Sequence, residues 1–179
     1  MSDAAVRELD RRGRAHTDAG RYDEAVASFT EALALVPGDP DLLYNRGEAF
    51  RRAGRLAEAR FDLESVLALE GESADLLLAL GLVAYESDDW DLAVARYEGA
   101  LALEPGLAEA WNDLGVVHFR RGAYAQARAV FEKAVALRAD YDEAWINLHD
   151  TYDELGLRKE REAAARRLRE LGLRPEGGD

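Results

Sequence analysis

Residues Trp111–Ala134 read WNDLGVVHFRRGAYAQARAVFEKA, and their spacing decides the fold. Trp111, Leu114 and Gly115 lie three and four residues apart, as do Ala127, Phe131 and Ala134. Each set is the packing stripe of one amphipathic helix, and Arg121-Gly122 between them is a turn signal. Thirty-four residues back the pattern returns as Leu77-x2-Leu80-Gly81, then Ala93-x3-Tyr97, Ala100 and Pro105. A further step gives Leu43-x2-Arg46-Gly47 and Ala59-x3-Leu63, and the next gives Leu9-x2-Arg12-Gly13, Ala25-x3-Phe29, Ala32 and Pro37. Forward by the same step, Trp145-x2-Leu148-His149 begins a copy whose second half departs from the pattern. A fixed period over pairs of helices is the signature of a stacked repeat array.

Composition agrees. Ala (33) and Leu (26) far outnumber Val, Ile and Thr together (14), so a sizeable sheet is excluded while helices are favoured. The chain has no Cys, which removes disulfides, thiolate metal sites and a Cys nucleophile. Its longest uncharged apolar run, Leu76–Tyr85, is half of a membrane span. Met1-Ser2-Asp3-Ala4-Ala5 lacks the basic flank and apolar core of a signal peptide, so a cytoplasmic location is expected. The net charge of −13 is concentrated: residues 62–119 hold one cation, Arg96, against 13 carboxylates. Such a field repels nucleic acid and anionic lipid and attracts basic partners.

On these residues the chain resembles the tetratricopeptide repeat family. The resemblance implies an all-α, right-handed superhelical solenoid of antiparallel helix pairs, about ten helices in all. The boundaries are residues 1–5 as a frayed start, repeats at 6–39, 40–73, 74–107 and 108–141, and a fifth, capping repeat at 142–175. Together residues 6–175 are expected to form one solenoid domain, with Pro175–Asp179 frayed. Small residues mark the close approach of paired helices: Gly13, Gly47, Gly81 and Gly115 on the first helix, Ala25, Ala59, Ala93 and Ala127 on the second. In the fifth repeat His149 replaces that Gly and Arg161 the Ala. Its last helix, about Arg158–Leu171, sets Leu157, Ala164, Leu168 and Leu171 on one stripe among Arg and Lys, as a solvating cap does. Asp39 before Pro40 is an expected N-cap.

No chemistry emerges from the remaining motifs. His16 and His118 share one repeat position and are expected to pack as core residues, and His149 near His118 lacks further ligands, so no metal is expected. No Gly-rich loop has a phosphate-binding context, and no Ser sits in a nucleophile elbow. The expectation is a protein without enzymatic activity or cofactor.

Binding is left, and helical spacing locates it on a second stripe of each first helix. In the family this stripe lines a concave groove for peptides or helices, so the resemblance implies a groove of Tyr44, Asn45, Leu78, Leu82, Tyr85, Asn112, Val116, Phe119, Ile146 and Asn147. Asp75, Glu109, Asp113, Glu143 and Asp150 form its acidic rim, and Arg7 and Arg14 a basic entrance. The apolar members exceed what the packing stripe needs, as at a binding site. The family's carboxylate clamp for chaperone tails finds only Asn45 in place, so that mode is not expected. The partner is then a peptide or helix of another protein, amphipathic or basic. The alternative is a self-associating assembly protein, such as a homodimer, using the groove or the basic last helix.

Overall fold

The computed structural model describes residues 2–173, and the Pro175–Asp179 segment expected to fray lies outside them. Among the described residues there are ten helices and no strand: α1 (Ser2–Asp18), α2 (Tyr22–Leu35), α3 (Pro40–Arg52), α4 (Leu56–Glu70), α5 (Ala74–Glu86), α6 (Trp90–Leu103), α7 (Ala108–Arg120), α8 (Tyr124–Leu137), α9 (Asp142–Glu154) and α10 (Arg158–Glu170). The helix starts and stops follow the 34-residue period. One boundary differs from the sequence reading: α1 already begins at Ser2, within the stretch set aside as frayed.

Local chemistry accounts for the punctuation. Asp39 accepts a hydrogen bond from the Leu42 amide (3.1 Å) with Pro40 in the first turn, the capping arrangement expected of Asp-Pro. Ser73 caps α5 through the Leu76 amide (3.3 Å). Trp111 and Trp145 each donate their indole N–H to a carbonyl six residues upstream, of Pro105 and Ala139, both at 2.9 Å. This pins the start of α7 and α9 to the preceding turn.

The turn inside each pair needs one residue with positive φ, and the period shows which. Gly20, Gly54, Gly122 and Gly156 occupy it at φ 68–74°, whereas in the third repeat Asp88 takes the place at φ 58°. A side chain there costs energy that Gly avoids, although Asp tolerates it better than most residues. Asp88→Gly is therefore expected to stabilise the protein by about 0.5–1 kcal/mol, read as an upward shift of the chemical-denaturation midpoint.

The helices form two compact units, α1–α5 and α6–α10, divided between Asp89 and Trp90, inside the third repeat. In the first, α1 packs on α2 and α3 on α4, burying Phe29, Leu63, Leu76, Val83 and their neighbours. In the second, α7 packs on α8 and α9 on α10 around Phe131, Leu148, Tyr152 and Ala164. Close approach is literal at the small residues. A Cβ on Gly115 would stand 2.5 Å from the Phe131 ring, and one on Gly13 the same distance from Phe29. Along α10 Ala164 and Leu168 are buried, and Leu157 and Leu171 at its two ends are half-buried.

One feature of the core has no precedent in the Leu-Gly pattern. Arg46, in the register of Leu114, forms a bidentate pair with Asp62 (Nε to Oδ2 2.7 Å, Nη2 to Oδ1 2.9 Å), whose side chain is 1% exposed. Its third nitrogen reaches Thr30 Oγ1 on α2 at 3.2 Å. Arg12 makes a more exposed version, with Nε on Ser28 Oγ (3.1 Å) and Nη2 on Glu31 (2.9 Å). In both repeats the first-helix Arg meets a polar side chain sixteen residues on.

Candidate partner-binding surface

The second stripe lies on the faces of α1, α3 and α5 in the first unit, and of α7 and α9 in the second. Successive first helices are tied together there by polar contacts 35 residues apart. Asn45 Nδ2 donates to Asp10 (3.4 Å), Arg51 Nη1 to Glu86 (2.6 Å) and Asn147 Nδ2 to Asn112 Oδ1 (2.9 Å). These contacts change the meaning of the amides. Asn112 is 4% exposed and spends its own N–H on Asp113 (3.3 Å), so it is a structural strut between α7 and α9. Asn45 and Asn147 are half-buried and engaged in the same way.

The apolar members of the stripe remain in part available. Leu78, Leu82 and Tyr85 are half-buried on α5, Val116 and Phe119 half-buried on α7, and Ile146 on α9 is 42% exposed. Val116 and Phe119 also pack against the second unit's core, and Phe119 meets Tyr124 edge-to-face at 5.2 Å. Tyr44 packs against the first unit's core. Burial, with the carboxylates of Glu48 and Asp75, pushes its hydroxyl up to about 12, so at neutral pH it stays a donor.

The charged members sort into engaged and free. Glu109 holds Arg138, which also lies over the Tyr141 ring at 3.6 Å, and Asp150 holds His149 at 3.0 Å. Glu109 is therefore neutralised in place, whereas Asp75 and Glu143 stand exposed. Asp113 is half-buried and accepts from Asn112. Arg51 sits between Glu48 and Glu86. Burial opposes its charge, but the two carboxylates outweigh that and hold it protonated. The expected basic entrance is mixed: a hollow of about 370 Å³ is lined by Arg7 and Arg14 but also by Asp10, Asp39 and Asp41.

The histidines depart from the reading as core residues. His16 and His118 are both half-buried: His16 Nδ1 accepts from Arg21 Nε (3.0 Å), while burial and the Arg121 charge push His118 below the ordinary His range. Among the described residues no group of His, Asp and Glu could hold a metal ion, and no helix is long and apolar enough to cross a membrane.

Helix pairs of period 34 with small residues at their crossings and a partly open first-helix face define a repeat protein of the interaction type. The tetratricopeptide repeat model matches residues 11–75 and 78–142, and the chain belongs to that family. A search of curated proteins finds no match. Among solved structures, the chain is similar to MamA (22% identity, 93% of this chain and 91% of that one, TM-score 0.76). It is also similar to PilF of Pseudomonas aeruginosa (20% identity, 99% and 79%, TM-score 0.84). At these identities the likeness concerns the fold.

Proposed function

We propose that the protein is a non-enzymatic adaptor whose first-helix faces hold an amphipathic, basic segment of another protein. The carrying observation is Ile146, 42% exposed on α9, with Val116 and Phe119 half-buried on the neighbouring α7 and Glu143 and Asp150 exposed on α9 itself. In the first unit Leu78, Leu82 and Tyr85 accompany exposed Asp75 in the same way. Apolar side chains left open next to carboxylates suit a ligand that alternates apolar and basic residues. The basic last helix supports the self-association reading less well. Arg161 is engaged by Asp153, and Arg167 by Glu170 and the Ala139 carbonyl.

The test pairs a change in each unit. Phe119 also serves the core, so Ile146 is the cleaner site in the second unit and Leu82 in the first. Capture by the wild-type chain and by Leu82→Glu/Ile146→Glu, from the same extract, is expected to show a partner whose retention falls at least tenfold, as for loss of apolar anchors. A cooperative helical melt in the double variant confirms that the fold persists. Equal retention by the two proteins overturns the assignment.

A further inference from the structure

A hollow of about 410 Å³ opens in the second unit among α6, α7 and α8, lined chiefly by Leu101, Trp111, Leu114 and Val130, with Glu98, His118 and Gln126 as polar members. On α7 it involves Trp111, Leu114 and His118, about a third of a turn around the helix from Asn112, Val116 and Phe119, so it is distinct from the proposed groove. The 34-residue period explains why it is open. Two repeats earlier, the registers of Leu114, Val130 and Glu98 are Arg46, Asp62 and Thr30, the three residues joined by the buried guanidinium. The first unit thus fills this seat with its own Arg46, which also lies 5.5 Å from the Phe50 ring. The second unit has a short Leu facing a Val, and the space stays empty of side chain.

The chain also carries an unmatched projection. Phe61 on α4 is 69% exposed, the most exposed large hydrophobic side chain among the described residues. It occupies the register that holds Ala129 beside the hollow and Ala27 in the first repeat. An aromatic side chain left in water where the repeat asks for Ala gains nothing for the fold of its own unit. It offers a large apolar area to a partner. Its flanks are charged in a matching sense: Arg60 precedes it and Glu64 follows one turn later, while the hollow has Glu98 at its edge and Lys133 lying 4.0 Å over the Trp111 ring.

We propose that the hollow is a docking site for a second copy of this chain, which inserts Phe61 between α6 and α8 with Arg60 toward Glu98 and Glu64 toward Lys133. The two surfaces are different, so the contact is heterologous: each contact leaves the pair with one free projection on one copy and one free hollow on the other, and assembly proceeds to a ring or an open chain. The proposal does not depend on the groove, which uses other residues of the first helices.

The test is sedimentation velocity with light scattering on the full chain over a concentration series. Wild type is expected to form species beyond the dimer as concentration rises. Phe61→Ala removes the projection and Ala129→Lys obstructs the hollow; both positions are exposed, so the helical melt is expected to persist. Each variant alone is expected to associate at least tenfold more weakly, as when a hot-spot anchor is lost. Mixed in equal amounts they are expected to give a dimer that grows no further, because only one projection and one hollow remain. Wild type that stays monomeric throughout, or a Phe61→Ala chain that assembles like wild type, overturns the proposal. So does a mixture as inert as its components.

Discussion

Arg46→Leu is expected to destabilise the first unit by about 3–5 kcal/mol, because it strands a carboxylate that has almost no access to water. Asp62 is 1% exposed and both its oxygens receive guanidinium hydrogen bonds, so losing the cation forfeits two charge-assisted bonds at once. The same change frees Thr30 and removes a cation lying over Phe50. For a unit of this size the loss corresponds to a fall in Tm of at least about 12 °C. The reverse change, Asp62→Val alone, is expected to cost less, since Arg46 is 19% exposed and its flexible stem allows the charge to turn toward solvent. The chain itself supplies the repair. Leu114 and Val130 hold the same two registers in the second unit, so Arg46→Leu with Asp62→Val is expected to return to within about 1–2 kcal/mol of wild type, as other buried ion pairs do when replaced by matched apolar residues. Thermal and urea melts of the four proteins form the cycle. A double variant no more stable than Arg46→Leu would show that the pair contributes through geometry that Leu and Val do not reproduce.

That pair marks the boundary of what was legible in the amino-acid sequence. The period, the helix pairs, the Asp39 cap and the small residues at the crossings could all be read, because each depends on residues close in sequence or on an exact repeat. Arg12 and Arg46 were also visible as departures from Leu, but a departure read within one helix says nothing of its partner. The signal lay sixteen residues on, where Ser28 and Asp62 stand in the register of Val130 and Ala164. The engagement of the amides was illegible for a related reason. Helical spacing puts Asn112 on the open stripe and the family resemblance adds Asn45 and Asn147, yet side chains 35 residues away reach across from the neighbouring first helix and engage them. Spacing identifies a face; how much of it the next repeat covers depends on packing between helices.

Phe131→Ala is expected to cost the second unit about 3–5 kcal/mol, the range for emptying a core aromatic site. The ring is fully buried, and it lies against Gly115 so closely that the neighbouring helix cannot advance into the vacated space without shifting as a whole. The crossing is equally intolerant of addition. A Cβ on Gly115 would meet ring carbons at 2.5, 2.6 and 2.8 Å, so Gly115→Ala is expected to lose about 1–3 kcal/mol to overpacking even though Ala favours the helix by about 1 kcal/mol. The second repeat shows the milder solution. Gly47 faces Leu63, where an added Cβ would meet branched aliphatic carbons at 3.0 and 3.2 Å, so Gly47→Ala is expected to lie nearer neutral. The fifth repeat shows the inversion, with His149 in the Gly register and Ala165 in that of Phe131. What the family position conserves along this chain is thus the summed size of two residues sixteen apart. Gly115→Ala with Phe131→Leu is accordingly expected to be more stable than the sum of the two single changes predicts, a coupling of about 0.5–3 kcal/mol for side chains in contact. Strict additivity in denaturant melts of the three variants would show instead that the helices separate to absorb the extra carbon.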